Sequence, residues 1–114
     1  MTTATANFAA LLEGFFTCRL MKQRQASPHT IASYRDTFRL LLRFAQKRLG
    51  TRPSDLTFEQ VEAPLITAFL HELEDKRGIS ARSRNLRLSA IRSFFQYAAF
   101  ETPDRAAQIQ RVLA

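Results

Sequence analysis

The chain has one cysteine, Cys18, so no internal disulfide can form, and Cys18, His29 and His71 are too scattered to compose a zinc site. That fits a reducing, cytoplasmic setting. No apolar run approaches the ~20 residues that a membrane-spanning helix needs, and the opening MTTATANFAA has neither the cationic region nor the apolar stretch of a secretory signal. Neither a membrane location nor export is expected. Only three glycines and four prolines punctuate the chain, and no run alternates apolar and polar residues between turn signals, so strands are not expected either. No segment repeats and none is of low complexity. What remains is a chain of 114 residues, 46% hydrophobic and with ten phenylalanines, the composition of one folded domain.

Helical signals recur between the breaks. Phe8, Leu11, Leu12, Phe15 and Cys18 fall at spacings of three and four, which predicts an amphipathic helix over about residues 6 to 25. Ser27-Pro28 then restarts the chain, serine as a cap for a free backbone N–H and proline at a position that has no N–H to lose. The second helix, over 28–49, carries Ile31, Tyr34, Phe38, Leu41, Leu42 and Ala45 on one stripe, Asp36, Arg39, Arg43 and Lys47 opposite, and Gly50 as its stop. After the loop TRPSDL, Thr57 and Gln60 can form a capping box that opens a brief helix. Pro64 begins the third main helix, with Leu65, Ile66, Phe69, Leu70 and Leu73 inward until Gly78. Ser80 caps the fourth, and Thr102-Pro103-Asp104 repeats the cap-then-proline device before a last short helix through Ile109, Val112 and Leu113. The expected fold is all-α, a compact bundle of four main helices plus a short C-terminal helix.

The net charge of +7 is unevenly spread: residues 19–48 hold eight Lys/Arg against one acid, Asp36, and residues 80–100 hold four Arg and no acid. Residues 54–77 invert this with six acids. If the first and last of these segments are neighbours, one side of the domain is cationic, as in a binder of polyanions. The same side would also serve a helical adaptor for an acidic protein.

The fourth helix, SARSRNLRLSAIRSFFQYAAF, concentrates the question. Leu88, Ile91, Phe95, Ala98 and Ala99 share one stripe, while Leu86, Ala90 and Tyr97 lie nearly opposite, so its C-terminal half is expected to be surrounded by the other helices. Its N-terminal half carries Arg82, Arg84, Arg87 and Arg92, with Ser83, Asn85 and Ser89 between them. So many long cations must reach solvent or an anion. Arginine and asparagine are the side chains that make paired hydrogen bonds to guanine and adenine edges, and a helix N-terminus favours anions. The alternative is that individual arginines pair with Glu72, Glu74 or Asp75 across the short Gly78-Ile79 turn. Arg84, on the stripe of Leu88 and Ile91, must either snorkel or mark a different phase of the helix. The second helix also starts with small or polar residues, His29, Thr30, Ala32 and Ser33.

SPHTIASYRDTFRLLLRF (27–44), DLT (55–57) and SARSRNLRLSAIRSFFQY (80–97) together resemble the N-terminal core-binding domain of tyrosine recombinases, the phage-integrase and Xer-like family. The Thr30/Tyr34 pair and Leu88-Ser89-Ala90-Ile91-Arg92-Ser93-Phe94-Phe95 are its most specific parts. The resemblance implies a SAM-like helical bundle that forms half of a clamp on duplex DNA and lays its second and fourth helices across the major groove of a recombination half-site. By motif position it places DNA contact on His29, Thr30, Ala32 and Ser33, and on Arg82, Ser83, Leu86 and Arg87; Arg84, Asn85 and Arg92 join them from the cationic cluster. One departure is Arg84, where the family has an aliphatic residue. The family's catalytic Arg, Lys, His-x-x-Arg and Tyr belong to a second domain. Here His29 and His71 are followed three residues later by Ala32 and Glu74, and Tyr34 and Tyr97 lie in apolar helices, so no catalysis is expected of this chain. No cofactor or metal and no small-molecule substrate is implied. The expected organisation is a DNA-binding domain over 1–101 and a short helix over 102–114 leading toward a catalytic domain, with double-stranded DNA and other recombinase protomers as partners. Family members exchange terminal helices between protomers, so Ile109, Val112 and Leu113 could either serve such an exchange or belong to a last helix held loosely.

Overall fold

The computed structural model describes residues 7–114 and is helical throughout; the first residue of the expected 6–25 helix lies outside the described residues. Helix α1 (Phe8–Gly14) runs directly into a π-helical stretch, Phe15–Gln23, followed by α2 (Pro28–Leu49), α3 (Ala63–Arg77), α4 (Ala81–Glu101) and α5 (Ala106–Leu113), with short 3-10 turns at Pro53–Asp55, Phe58–Gln60 and Pro103–Arg105. Among the described residues the nearest thing to a strand is one isolated bridge, Asn7 to Thr57.

The caps form where the residue types require them. The Ser27 hydroxyl accepts from the Thr30 N–H at 3.1 Å, and that of Ser80 accepts from the Ser83 N–H at 3.1 Å. Gly50 and Gly78 close α2 and α3 in the left-handed conformation, with φ of 66° and 61°, a region that glycine enters without steric cost. Asn7 caps α1 and also ties it to the loop after α2, its amide donating to the Ser54 carbonyl at 2.8 Å. The expected brief helix at Thr57 is a single 3-10 turn, in which the Gln60 side chain accepts from the Thr57 N–H at 3.0 Å.

The π stretch corrects the reading of the first helix. A constant period puts Cys18 on the buried stripe, but Cys18 is exposed and Leu20 takes the inward place. Hydrogen bonds from residue i to i+5 widen the turn, so five positions separate the buried Phe15 from the buried Leu20.

An aromatic core holds the bundle. Phe94 of α4 packs against Phe8, Phe15, Phe38, Phe58 and Phe95, with ring centroids 5.2 to 6.4 Å apart. These rings come from α1, the π stretch, α2, the 3-10 turn and α4 itself, so one side chain joins most of the fold. The expectation of a surrounded C-terminal half holds for Ala90, Ile91, Phe94, Phe95, Tyr97 and Ala98, all buried. Ala99 is exposed, contrary to its place on the predicted stripe, and Phe100 is exposed as well. Helix α5 is docked against α3 and α4. Its Ile109 and Val112 are buried, and the buried Gln108 amide donates to the Phe58 and Val61 carbonyls at 2.7 and 3.0 Å.

Candidate nucleic-acid interface

Helix α4 divides its polar residues between two faces. Arg82, Asn85, Ser89, Arg92 and Gln96 recur at spacings of three and four, which sets them in one row, and all five are exposed. Leu86, beside this row, is 58% exposed and adds an apolar side chain to this face. Among the described residues Arg82 and Arg92 have no acidic partner, so this face offers two uncompensated guanidinium groups, two amides and a hydroxyl.

Arg84 and Arg87 point elsewhere. Arg84 binds Glu74 of α3 at 2.5 Å through Nε. Its stem lies in a cleft with Ile66, Leu70, Leu88 and Val112, so it snorkels, the apolar part on the stripe and the charge on an acid. Arg87 falls on the buried face with Ile91 and Phe94. It reaches α2, where its guanidinium donates to the Thr37 hydroxyl at 3.1 Å and to the Asp36 carboxylate at 3.2 Å. Arg39 binds the other oxygen of Asp36 at 2.6 Å. The Arg39 hydrogen bond, reinforced by Arg87, outweighs partial burial and holds the Asp36 carboxyl below its ordinary value. The one acid of α2 is thus matched by two guanidinium groups, and its charge does not interrupt the cationic side.

On α2, His29, Ala32, Asp36, Arg39, Arg43 and Lys47 recur at spacings of three and four, with Ser33 beside Ala32, and form its outward stripe. His29, Ala32 and Ser33 are exposed; Thr30 is half-buried, and its hydroxyl accepts a hydrogen bond from Ser27 at 3.0 Å. Ser83 is half-buried behind the α4 cap. The residues singled out in the sequence therefore fall into three groups: an exposed α4 set (Arg82, Asn85, Leu86, Arg92), an exposed α2 set (His29, Ala32, Ser33), and Thr30, Ser83, Arg84 and Arg87, which contact the fold itself. Gln96 is absent from the sequence reading, and Ser89 enters it only as a residue between the arginines. The spacing from Arg82 would have found both.

Residues 12–102 match the family described as phage integrase, N-terminal SAM-like domain. The chain belongs to that family. Among relatives of this integrase-type domain, a Sinorhizobium fredii protein that carries the name integrase/recombinase y4rC is 68% identical over 98% of this chain and 34% of its own length. Another from that organism, carrying the name integrase/recombinase y4rD, is 50% identical over 92% of this chain and 37% of its own length. The tyrosine recombinase XerC of Pseudomonas syringae pv. syringae is 36% identical over 68% of this chain and 24% of its own. The integrase-type domain thus spans 24 to 37% of the length of these curated relatives. No solved structure matches it at a significant level. The family confirms the all-α, SAM-like fold. No helix among the described residues is long and apolar enough to cross a membrane, and no cluster among them could hold a metal ion.

Proposed function

We propose that this domain is the DNA-binding module of a tyrosine-type site-specific recombinase, gripping duplex DNA at a recombination half-site through α2 and α4. The observation that carries this reading is the exposed row Arg82, Asn85, Ser89 and Arg92 on a helix that has no acid before Glu101. Arg82 and Arg92 supply phosphate contacts that set the register of the domain on the duplex, while Asn85 suits an adenine edge and Leu86 a thymine methyl group. On α2, His29, Thr30, Ala32 and Ser33 form the second contact, and the small side chains of Ala32 and Ser33 let the helix backbone come close to the groove. Arg84 and Arg87 belong to the same end of α4 and act mainly by fixing it against α3 and α2, and Ser83 by supplying the capped N–H of its first turn. The recombination chemistry, by the names of the relatives, belongs to a longer protein in which this domain positions DNA, and other protomers of that protein are its partners.

A titration against duplex DNA at graded salt tests the reading. If four to six phosphates are neutralised at ~0.9 counterion each, the affinity falls with a log–log slope of roughly −3 to −6. A flat salt response contradicts it, and equal affinity for every duplex together with tighter capture of an acidic protein favours an adaptor instead.

A further inference from the structure

The cationic side continues past the α2 and α4 residues already described. Lys47 and Arg48, in the last turn of α2, line a cleft with Lys76 of α3, Phe44 and Glu72. The adjoining cleft shares Phe44, Lys47 and Glu72 and adds Arg43 and Arg77. Five cations from two helices therefore surround one acid. Glu72 is matched by Lys76 at 3.3 Å, and Arg48 lies over the Phe44 ring at 5.4 Å. Arg43, Lys47 and Arg77 are exposed and, among the described residues, have no acidic partner. The negative end of a helix dipole accounts for cations in each last turn. It does not account for Arg43, further back on α2, nor for the convergence of two helix ends on a common groove.

The cleft adjoins both elements of the proposed interface along the chain. Arg77 is joined to α4 by the turn Gly78 to Ser80, and Arg43 and Lys47 extend the outward stripe of α2 that begins at His29. From Ser33 to Lys47 the helix advances ~21 Å at 1.5 Å per residue, whereas the major groove of duplex DNA is only about 12 Å wide. A helix whose first turns enter the groove must therefore pass over the bordering phosphate backbone with its second half. We infer that Arg43, Lys47 and Arg77 form a second phosphate-binding surface, which holds the backbone flanking the groove that α2 and α4 enter. The inference rests on the DNA-binding reading above. It assigns these three side chains an electrostatic task without base readout, so they strengthen binding to every duplex equally.

The test is the salt dependence of binding to a random-sequence duplex for the wild-type domain, for Lys47→Gln/Arg77→Gln, and for Arg105→Gln/Arg111→Gln, the α5 variant, which removes the same number of charges from α5 and the turn that leads into it. Thermal melting first establishes that each variant is folded. The expected result is a log–log slope reduced in magnitude by about 2 in the Lys47/Arg77 variant, near one unit per lost contact, with the α5 variant at the wild-type slope. An unchanged slope in the Lys47/Arg77 variant overturns the inference while leaving the DNA-binding reading intact. An equal reduction in the α5 variant overturns it too, since net charge alone would then suffice. No duplex binding by the wild-type domain overturns both.

Discussion

Arg87 on α4 and Asp36 on α2, 51 residues apart in the chain, meet at 3.2 Å, and the same guanidinium also donates to the Thr37 hydroxyl. Two hydrogen bonds from a planar fork fix both the separation and the rotation of the two helices that carry the proposed interface. The Arg87 side chain is 20% exposed, so water screens the pair only in part. Arg87→Ala leaves the Thr37 hydroxyl and one Asp36 oxygen without this donor, and we expect a loss of about 1–2 kcal/mol in urea unfolding. Arg87→Lys keeps the charge but not the fork and should fall between the two. Full stability in Arg87→Ala would show that the pair contributes nothing to the bundle.

The same pair sets a pH dependence. Because the Asp36 carboxyl is depressed below its ordinary value of 3.8, the folded state binds this proton more weakly than the unfolded state does. Its contribution is whole above the unfolded value and is lost as pH falls through the folded one. The stability difference between wild type and Asp36→Asn should therefore be constant near neutrality and shrink in acid, below about pH 4. A difference that grows as pH falls through that range would mean that Asp36 is destabilised by its surroundings.

Gly14 and Tyr97 make a more local test. A Cβ on Gly14 would lie 2.5 Å from the Tyr97 hydroxyl oxygen but 3.6 Å from the ring carbon that bears it. Only the oxygen is in the way. Gly14→Ala should destabilise the domain despite the roughly 1 kcal/mol by which alanine outranks glycine inside a helix. In a Tyr97→Phe background the same substitution should become stabilising. Thermal melting of the four proteins of this cycle decides it, and an equal effect of Gly14→Ala in both backgrounds would place the strain elsewhere.

Much of the fold was legible because its punctuation is local. Ser27-Pro28, Gly50, Pro64, Gly78 and Ser80 each act on the backbone within one turn, so the bounds of α2, α3 and α4 follow from residues a few positions apart. The π stretch was not legible, since Phe8, Leu12 and Phe15 fit an unbroken period and only the inward Leu20 reveals the change of phase. The exposed row on α4 can be read from spacing alone. The engagements of Arg84 and Arg87 cannot be ranked that way, because in sequence every arginine of that helix has the same choice between an acid and a ligand. Glu74 lies one short turn before α4 and was a foreseeable partner. Asp36 became one only when the aromatic core, through Phe38 and Phe94 at 5.5 Å, brought α2 against α4.

The central claim is that the outward row of α4 binds DNA while its inward arginines hold the helix in place. The most direct measurement compares Arg82→Ala/Arg92→Ala with wild type for duplex affinity and for the urea midpoint in the same buffer. Loss of two phosphate contacts predicts an affinity lower by roughly tenfold to a hundredfold at physiological salt, with the unfolding midpoint unchanged. Unchanged affinity in this variant would contradict the account, and so would a fall in affinity that only accompanies unfolding.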